Sequence, residues 1–308
     1  MKSLFNILIV CFSLSAGLLF GHASGILNGE SLLWNRYAFI VKILSRGEAV
    51  KNCVGTLITP SLVVTAPECI KNETTHGKLQ EFLVLISRLE SLPLASRNES
   101  SLVALPSDAY QAHLIEAEAR FALLKIKPLD VKNLCPPTPV PKRVARLPLN
   151  PNLDDSRANV RIDIGSLSDD KCYLLSFETL ELGENFASKA DLTRLSLERL
   201  RDEEINAKVG LYTTRIVNNS TACFDDMGAA LICYVAELEE EFLVGMFRFL
   251  NFIDGVELDR SSPAHCTLAV EMGFDAFVGD AQLLRAIQRH DYGGFFDVYE
   301  TCEFTQLQ

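Results

Sequence analysis

Residues 223–233 read Cys-Phe-Asp-Asp-Met-Gly-Ala-Ala-Leu-Ile-Cys, two cysteines bracketing an acidic pair, a methionine and a short apolar run. Asp225 and Asp226 can hold or move protons. Met227 cannot act as the nucleophile of acyl transfer, because a thioether has no proton to give up and is only a weak acceptor. A second bracketed segment, residues 53–69, ends Thr-Ala-Pro-Glu-Cys and sets the carboxylate of Glu68 beside Cys69. A third stretch, residues 119–126, is Ala-Arg-Phe-Ala-Leu-Leu-Lys-Ile and carries Arg120 at the head of an apolar run. The chain has no Cys-x-x-Cys pair and its five histidines are scattered, so neither a metal nor another cofactor is expected.

These segments need a scaffold, and the composition bounds it. The chain has 308 residues, 48% hydrophobic and 22% charged, which is an ordinary globular balance. Its net charge of −11, with no basic patch, argues against nucleic acid or an anionic membrane as a partner. Lys2, an apolar run over residues 4–20 and small residues to Gly25 read as a secretory signal peptide over residues 1–25. No later stretch is long and apolar enough to span a bilayer. Cys11 lies in the signal peptide, and the remaining eight cysteines, an even number in an oxidising compartment, favour disulfides. Sequons at Asn72, Asn98, Asn218 and Asn219 agree with export, although the adjacent Asn218 and Asn219 are not both expected to be modified.

Taken together, the segments resemble the trypsin-like serine proteases. Residues 223–233 are similar to that family's CxGDSGGPLVC, residues 53–69 to its CGGSLISPxWVLTAAHC, and residues 119–126 to its NDIALLKL. Residues 26–30, Ile-Leu-Asn-Gly-Glu, resemble the IVGGE start of an activated domain. The resemblance covers residues 26–289 and implies an all-β fold of two antiparallel six-stranded β-barrels with a C-terminal helix. That helix is expected over about residues 281–289, with Leu283, Leu284 and Ile287 on one face. Residues 290–308 would form an additional tail. A Pro-rich stretch through Pro151 would be an extended crossover between the barrels, and residues 198–206 are helix-compatible.

The same resemblance implies the loss of catalysis. The histidine, aspartate and serine positions of the triad hold Glu68, Arg120 and Met227. A carboxylate cannot reproduce the two-nitrogen relay of imidazole, and a guanidinium cannot orient it. Asp225 replaces the oxyanion-hole glycine, uncharged Thr221 stands at the base of the specificity pocket, and Arg248-Phe249-Leu250 replaces the strand that pairs with substrate. His76, His113 and Ser220 offer no replacement triad. In the family, the free amine of the first isoleucine pairs with the aspartate matching Asp226. A signal cut after Gly25 would expose Ile26 for that pairing, whereas a cut after Ala23 would leave Asp226 to another donor.

The implied disulfides are Cys53–Cys69, Cys172–Cys233 and Cys223–Cys266. Cys135 and Cys302 then remain and are expected to bridge each other, the alternative being a bond to another chain. The resemblance points to a non-catalytic protease homologue of the secreted insect type, extracellular and without enzyme activity. Its partners would be extracellular proteins, among them active proteases or other protease homologues, in immune or reproductive (seminal) fluid. The former cleft, with Glu68, Arg120, Met227, Arg248 and Leu250, is the expected binding surface. A structural or carrier component of a secretion, or a hydrolase with a rearranged site, are the alternatives.

Overall fold

The structure is a computed structural model and describes residues 26–45, 52–70, 82–87, 107–130, 142–149, 172–177, 191–198, 200–202, 210–236, 239–253 and 263–301. In chain order the strands are β1 (Glu30–Leu33), β2 (Ile40–Ser45), β3 (Asn52–Leu57), β4 (Leu62–Thr65), β5 (Phe82–Ser87), β6 (Ser107–Ala117) and β7 (Ala122–Lys125). The second half contributes β8 (Cys172–Phe177), β9 (Asp191–Ser196), β10 (Arg201–Asp202), β11 (Leu211–Arg215), β12 (Ala230–Val235), β13 (Glu240–Phe252) and β14 (Ala269–Ala276). These segments are short and rich in β-branched and aromatic residues, as a pleated, partly buried surface requires. In β5, Phe82, Val84 and Ile86 point into the core while Leu83 and Leu85 are only partly buried, the two-residue period of a strand.

Strands β2-β3-β4-β7-β6-β5 close into an antiparallel six-stranded barrel. In the second half, where a second six-stranded barrel is expected, the described strands form one eight-stranded sheet, β1-β9-β8-β12-β13-β14-β11-β10, because β1 and the short β10 add to its two edges. β1, from the start of the domain, thus pairs with β9 across the molecule, Leu32 opposite Leu192. Arg201 and Asp202 lie opposite Thr213 and Tyr212, so this part of the expected helix is a strand. The ladder partner on β11 outweighs the local helix propensity of a charged segment. The crossover is stitched to both halves: Ala145 N–H donates to Leu57 O at 2.9 Å, and Arg146 O accepts from Leu243 N–H at 2.8 Å.

Helix α1 (Ala281–Thr301) starts at Asp280, whose Oδ1 accepts the N–H groups of Gln282 and Leu283 at 2.9 and 3.1 Å. Leu283, Leu284 and Ile287 are buried as expected. The helix does not stop near Arg289; it kinks at Asp291 and continues. Residues 290–301 are therefore a docked second limb of the helix, not a separate tail. Tertiary contacts explain the extension. The Asp291 carboxylate accepts hydrogen bonds from the hydroxyls of Thr59 and Ser61 at 2.5 and 2.6 Å, and Phe295 and Val298 enter the first barrel's core cluster.

Three of the implied disulfides are present: Cys53–Cys69, Cys172–Cys233 and Cys223–Cys266, with Cα separations of 5.8, 4.1 and 5.4 Å. Cys172 and Cys233 are direct register partners on β8 and β12. Cys135 and Cys302 lie outside the described residues, as do the expected signal peptide, Asn72, Asn98 and His76. Peptide mapping without reduction should recover the three pairs and, as the fourth, Cys135 joined to Cys302. Replacing both Cys172 and Cys233 with alanine should lower unfolding stability by about 2–5 kcal/mol in a denaturant titration.

Candidate functional site

Glu68 lies in the single turn Pro67–Cys69, between the proline that starts it and the cysteine that anchors it to β3. One of its carboxylate oxygens, Oε2, is buried without a hydrogen-bond partner. Across the seam, Met227 follows the turn Phe224–Asp226. Its carbonyl accepts the Val54 N–H at 3.4 Å and lies 3.4 Å from Cys69 Sγ. Its side chain touches both hydrophobic cores. Gly228 holds φ at +83°, and a Cβ there would come within 2.3 Å of Val54 O. Only glycine meets both conditions without displacing β3. The backbone at Met227 and Gly228 is thus a joint between the two halves, and a thioether fills it.

Arg120 sits in the bend between β6 and β7 and reaches the second half, where its Nη2 lies 2.9 Å from Asp280 Oδ2. The two oxygens of Asp280 therefore do two jobs: one caps α1 and the other holds Arg120. Arg248 is the extra residue of a bulge in the β13–β14 register, between Phe247 and Phe249. A bulge re-aims a side chain, and this one brings Arg248 Nη1 to 2.7 Å from Asp275 Oδ1. Asp275 is 1% exposed. Burial pushes its carboxyl up to about 6; Arg248 and Arg120 oppose the rise and Glu68 adds to it. Arg248 is thus bound to one buried acid, whose charge Arg120 favours and Glu68 disfavours from further away. Leu250 lies further along β13 opposite Met272, and the ring of Phe249 covers Gly273 so closely that a Cβ there would meet it at 2.3 Å.

Sequence reasoning missed Asp275 and Asp280. The signal was available: two aspartates in the apolar stretch 273–280, and two arginines at positions where the resemblance expects Asp and Ser. Asp226 is 1% exposed, accepts the Cys223 N–H at 2.7 Å and accepts the Ser176 hydroxyl. It thus closes its own turn. Ile26 packs against the second core, and Leu27 N–H donates to Thr221 O at 2.8 Å. Thr221 is fully buried with its hydroxyl on Ala222 O. The side chain of Asp225 lies outside the described residues. Asn218 and Asn219 are exposed, with φ of 54° and 56°, and form the two-residue turn between Val217 and Ser220. Among the described residues, no cluster of three or more His, Cys, Asp or Glu could hold a metal ion, and no helix is long and apolar enough to cross a membrane.

No protein-family profile and no curated protein matches this sequence. Solved structures do match. One is the 1.7 Å structure of HL collagenase, with a TM-score of 0.51, 14% identity, and coverage of 86% of this chain and 97% of that one. The fold is trypsin-like. At this identity the likeness carries the architecture alone, and the side chains of the site must be read from this chain itself.

A pH dependence follows from Asp275. Its folded-state pKa lies above the roughly 3.9 of an unfolded aspartate, so folding takes up a proton as pH falls. The stabilisation is complete below pH 4 and is lost as pH rises through about 6. Between pH 7 and pH 5, wild-type stability should rise by about 1 kcal/mol relative to Asp275→Asn, measured by denaturant unfolding. A pH-independent difference would mean that the Arg248 and Arg120 charges fully offset the cost of burying Asp275.

Proposed function

We propose that this chain is a secreted, non-catalytic protease homologue that acts by binding, a regulatory partner of extracellular proteases in immune or reproductive fluid. The observation that carries the reading is what has become of the triad positions. Arg120 is committed to the cap of α1 and Met227 to the joint between the cores. Glu68 leaves its buried Oε2 without a hydrogen-bond partner. A residual oxyanion site without a triad would retain only about 10³–10⁴-fold acceleration over water. Here Asp225 stands at the oxyanion position as well, and Leu250 occupies the substrate strand. The signal-like N-terminus, the sequons and the three disulfides support export.

The surface best suited to a partner is the former cleft, bordered by Glu68, Arg120, Met227, Arg248 and Leu250. Its two arginines are paired within the protein, so they offer a preorganised face rather than a positive field that would steer an anionic ligand. Two measurements test the proposal. An active-site serine probe and a broad peptide substrate panel should give neither labelling nor turnover; either would refute the non-catalytic assignment. Capture from the native secretion should recover a protease or protease homologue with wild type and lose it with Leu250→Asp. The same partners with both would remove the cleft from the account, and self-association alone would favour a structural role in the secretion.

A further inference from the structure

Four large apolar side chains stand exposed at one end of the second sheet: Val217 beyond β11, Ile253 beyond β13, and Leu268 and Val270 around the start of β14. Among the described residues the others of this kind, Leu114 on β6 and Tyr292 on α1, lie elsewhere. The topology gathers the four. Strands β11, β14 and β13 are neighbours, Phe252 lies opposite Ala269, and Ile216 N–H donates to Val270 O at 3.0 Å. That register sets Ile253 beside Leu268 and Val217 beside the start of β14. Val270 is the extra residue of a second bulge, between the paired Ala269 and Glu271, and a bulge re-aims a side chain. Apolar residues scattered singly on a surface need no explanation, but a group at one sheet end marks something that covers it.

The face has a firm floor. Cys223–Cys266 ties the segment before β14 to the turn before β12, and the half-buried rings of Phe224 and Phe252 stack with centres 6.1 Å apart. Its immediate neighbour is the turn at Asn218 and Asn219, closed by the Val217–Ser220 bridge. Asn28 holds that turn from outside, its Nδ2 donating to Asn219 O at 3.2 Å. Both asparagine side chains of the turn are exposed, and residues 218–221, Asn-Asn-Ser-Thr, carry two overlapping glycosylation sequons. Asparagine alone would meet the positive φ of the turn, and the hydroxyl residues after it are what make it an acceptor. From this turn, Ile253 stands two strand spacings away, roughly 10 Å. A branched N-glycan core reaches that far. Its pyranose rings pack their C–H faces on aliphatic and aromatic groups while their hydroxyls stay in water.

We propose that the Asn218–Asn219 turn carries one N-linked glycan whose core lies over Val217, Ile253, Leu268 and Val270 and keeps this face from self-association. The proposal rests on export of the chain, because the linkage is made in the secretory compartment. In that step the asparagine amide nitrogen bonds to the anomeric carbon of a lipid-pyrophosphate-linked oligosaccharide. The carbon–oxygen bond to pyrophosphate breaks, and the amide gives up one proton. Thr221 is fully buried in the folded chain, so transfer through its sequon precedes the closing of this part of the sheet.

The experiment is expression of the full chain in a secretory host, followed by glycopeptide mapping, sedimentation and binding of the apolar dye bis-ANS. Mapping should find one glycan on residues 218–219. Ser220→Ala with Thr221→Val removes both sequons and keeps both asparagines of the turn. That variant should bind at least about twofold more dye than wild type and sediment as a larger species. Adding Ile253→Ser and Leu268→Ser, both at exposed positions, should return both readouts to wild-type values. Endoglycosidase trimming of folded wild-type protein should give the same rise in dye binding, which separates loss of the glycan from a folding defect in the variant. Removing only the Asn72 and Asn98 sequons should leave dye binding unchanged. An empty turn in a secreted chain, or unchanged dye binding after its glycan is lost, would overturn the proposal. A wild-type dimer with an empty turn would assign the face to a second copy instead. A chain retained in the cell with every sequon empty would overturn the export reading as well.

Discussion

The ion pair between Arg120 and Asp280 is the contact on which the altered site depends. It joins the β6–β7 bend of the first barrel to the first turn of α1, and through Asp280 it shares a carboxylate with the helix cap. Asp280 is 3% exposed and Arg120 is largely covered, so neither charge can be left without the other cheaply. Removing one partner of a buried pair strands its counter-charge at a cost of about 3–5 kcal/mol. The position from which the resemblance expects a catalytic carboxylate is therefore held by a residue the fold now requires.

The neighbouring substitutions make sense in that light. With a guanidinium at position 120 and another at 248, the surrounding structure must supply carboxylates, and Asp275 and Asp280 do so from one short stretch. Asp275 remains costly to ionise because burial outweighs its cationic neighbours. Met227 needs no partner at all, and its flexible, polarizable side chain suits an irregular gap between two cores. Around Asp275 and Asp280 the two guanidinium groups are compensated inside the protein, while Met227 bridges the two cores.

Much of this was legible in the sequence because it is local. The cysteine-bracketed segments, the apolar strands and the helix face of Leu283, Leu284 and Ile287 all follow from residue type and spacing, and the structure places them as expected. The remainder depends on distance in space. Nothing within residues 119–126 shows that Arg120 meets an aspartate 160 positions away. The resemblance ends the helix near residue 289, yet Asp291, Phe295 and Val298 dock a second limb against the first barrel. The strand at Arg201–Asp202 was likewise hidden behind a helix-compatible composition until its partner on β11 was known.

Arg120 acts as a structural residue, and a double-mutant cycle on Arg120→Ala and Asp280→Ala tests this most directly. Stabilities of the four proteins by denaturant unfolding should give a coupling energy of about 1–3 kcal/mol, with the double variant less damaged than the sum of the singles. A coupling indistinguishable from zero would contradict the account and leave Arg120 free for another role.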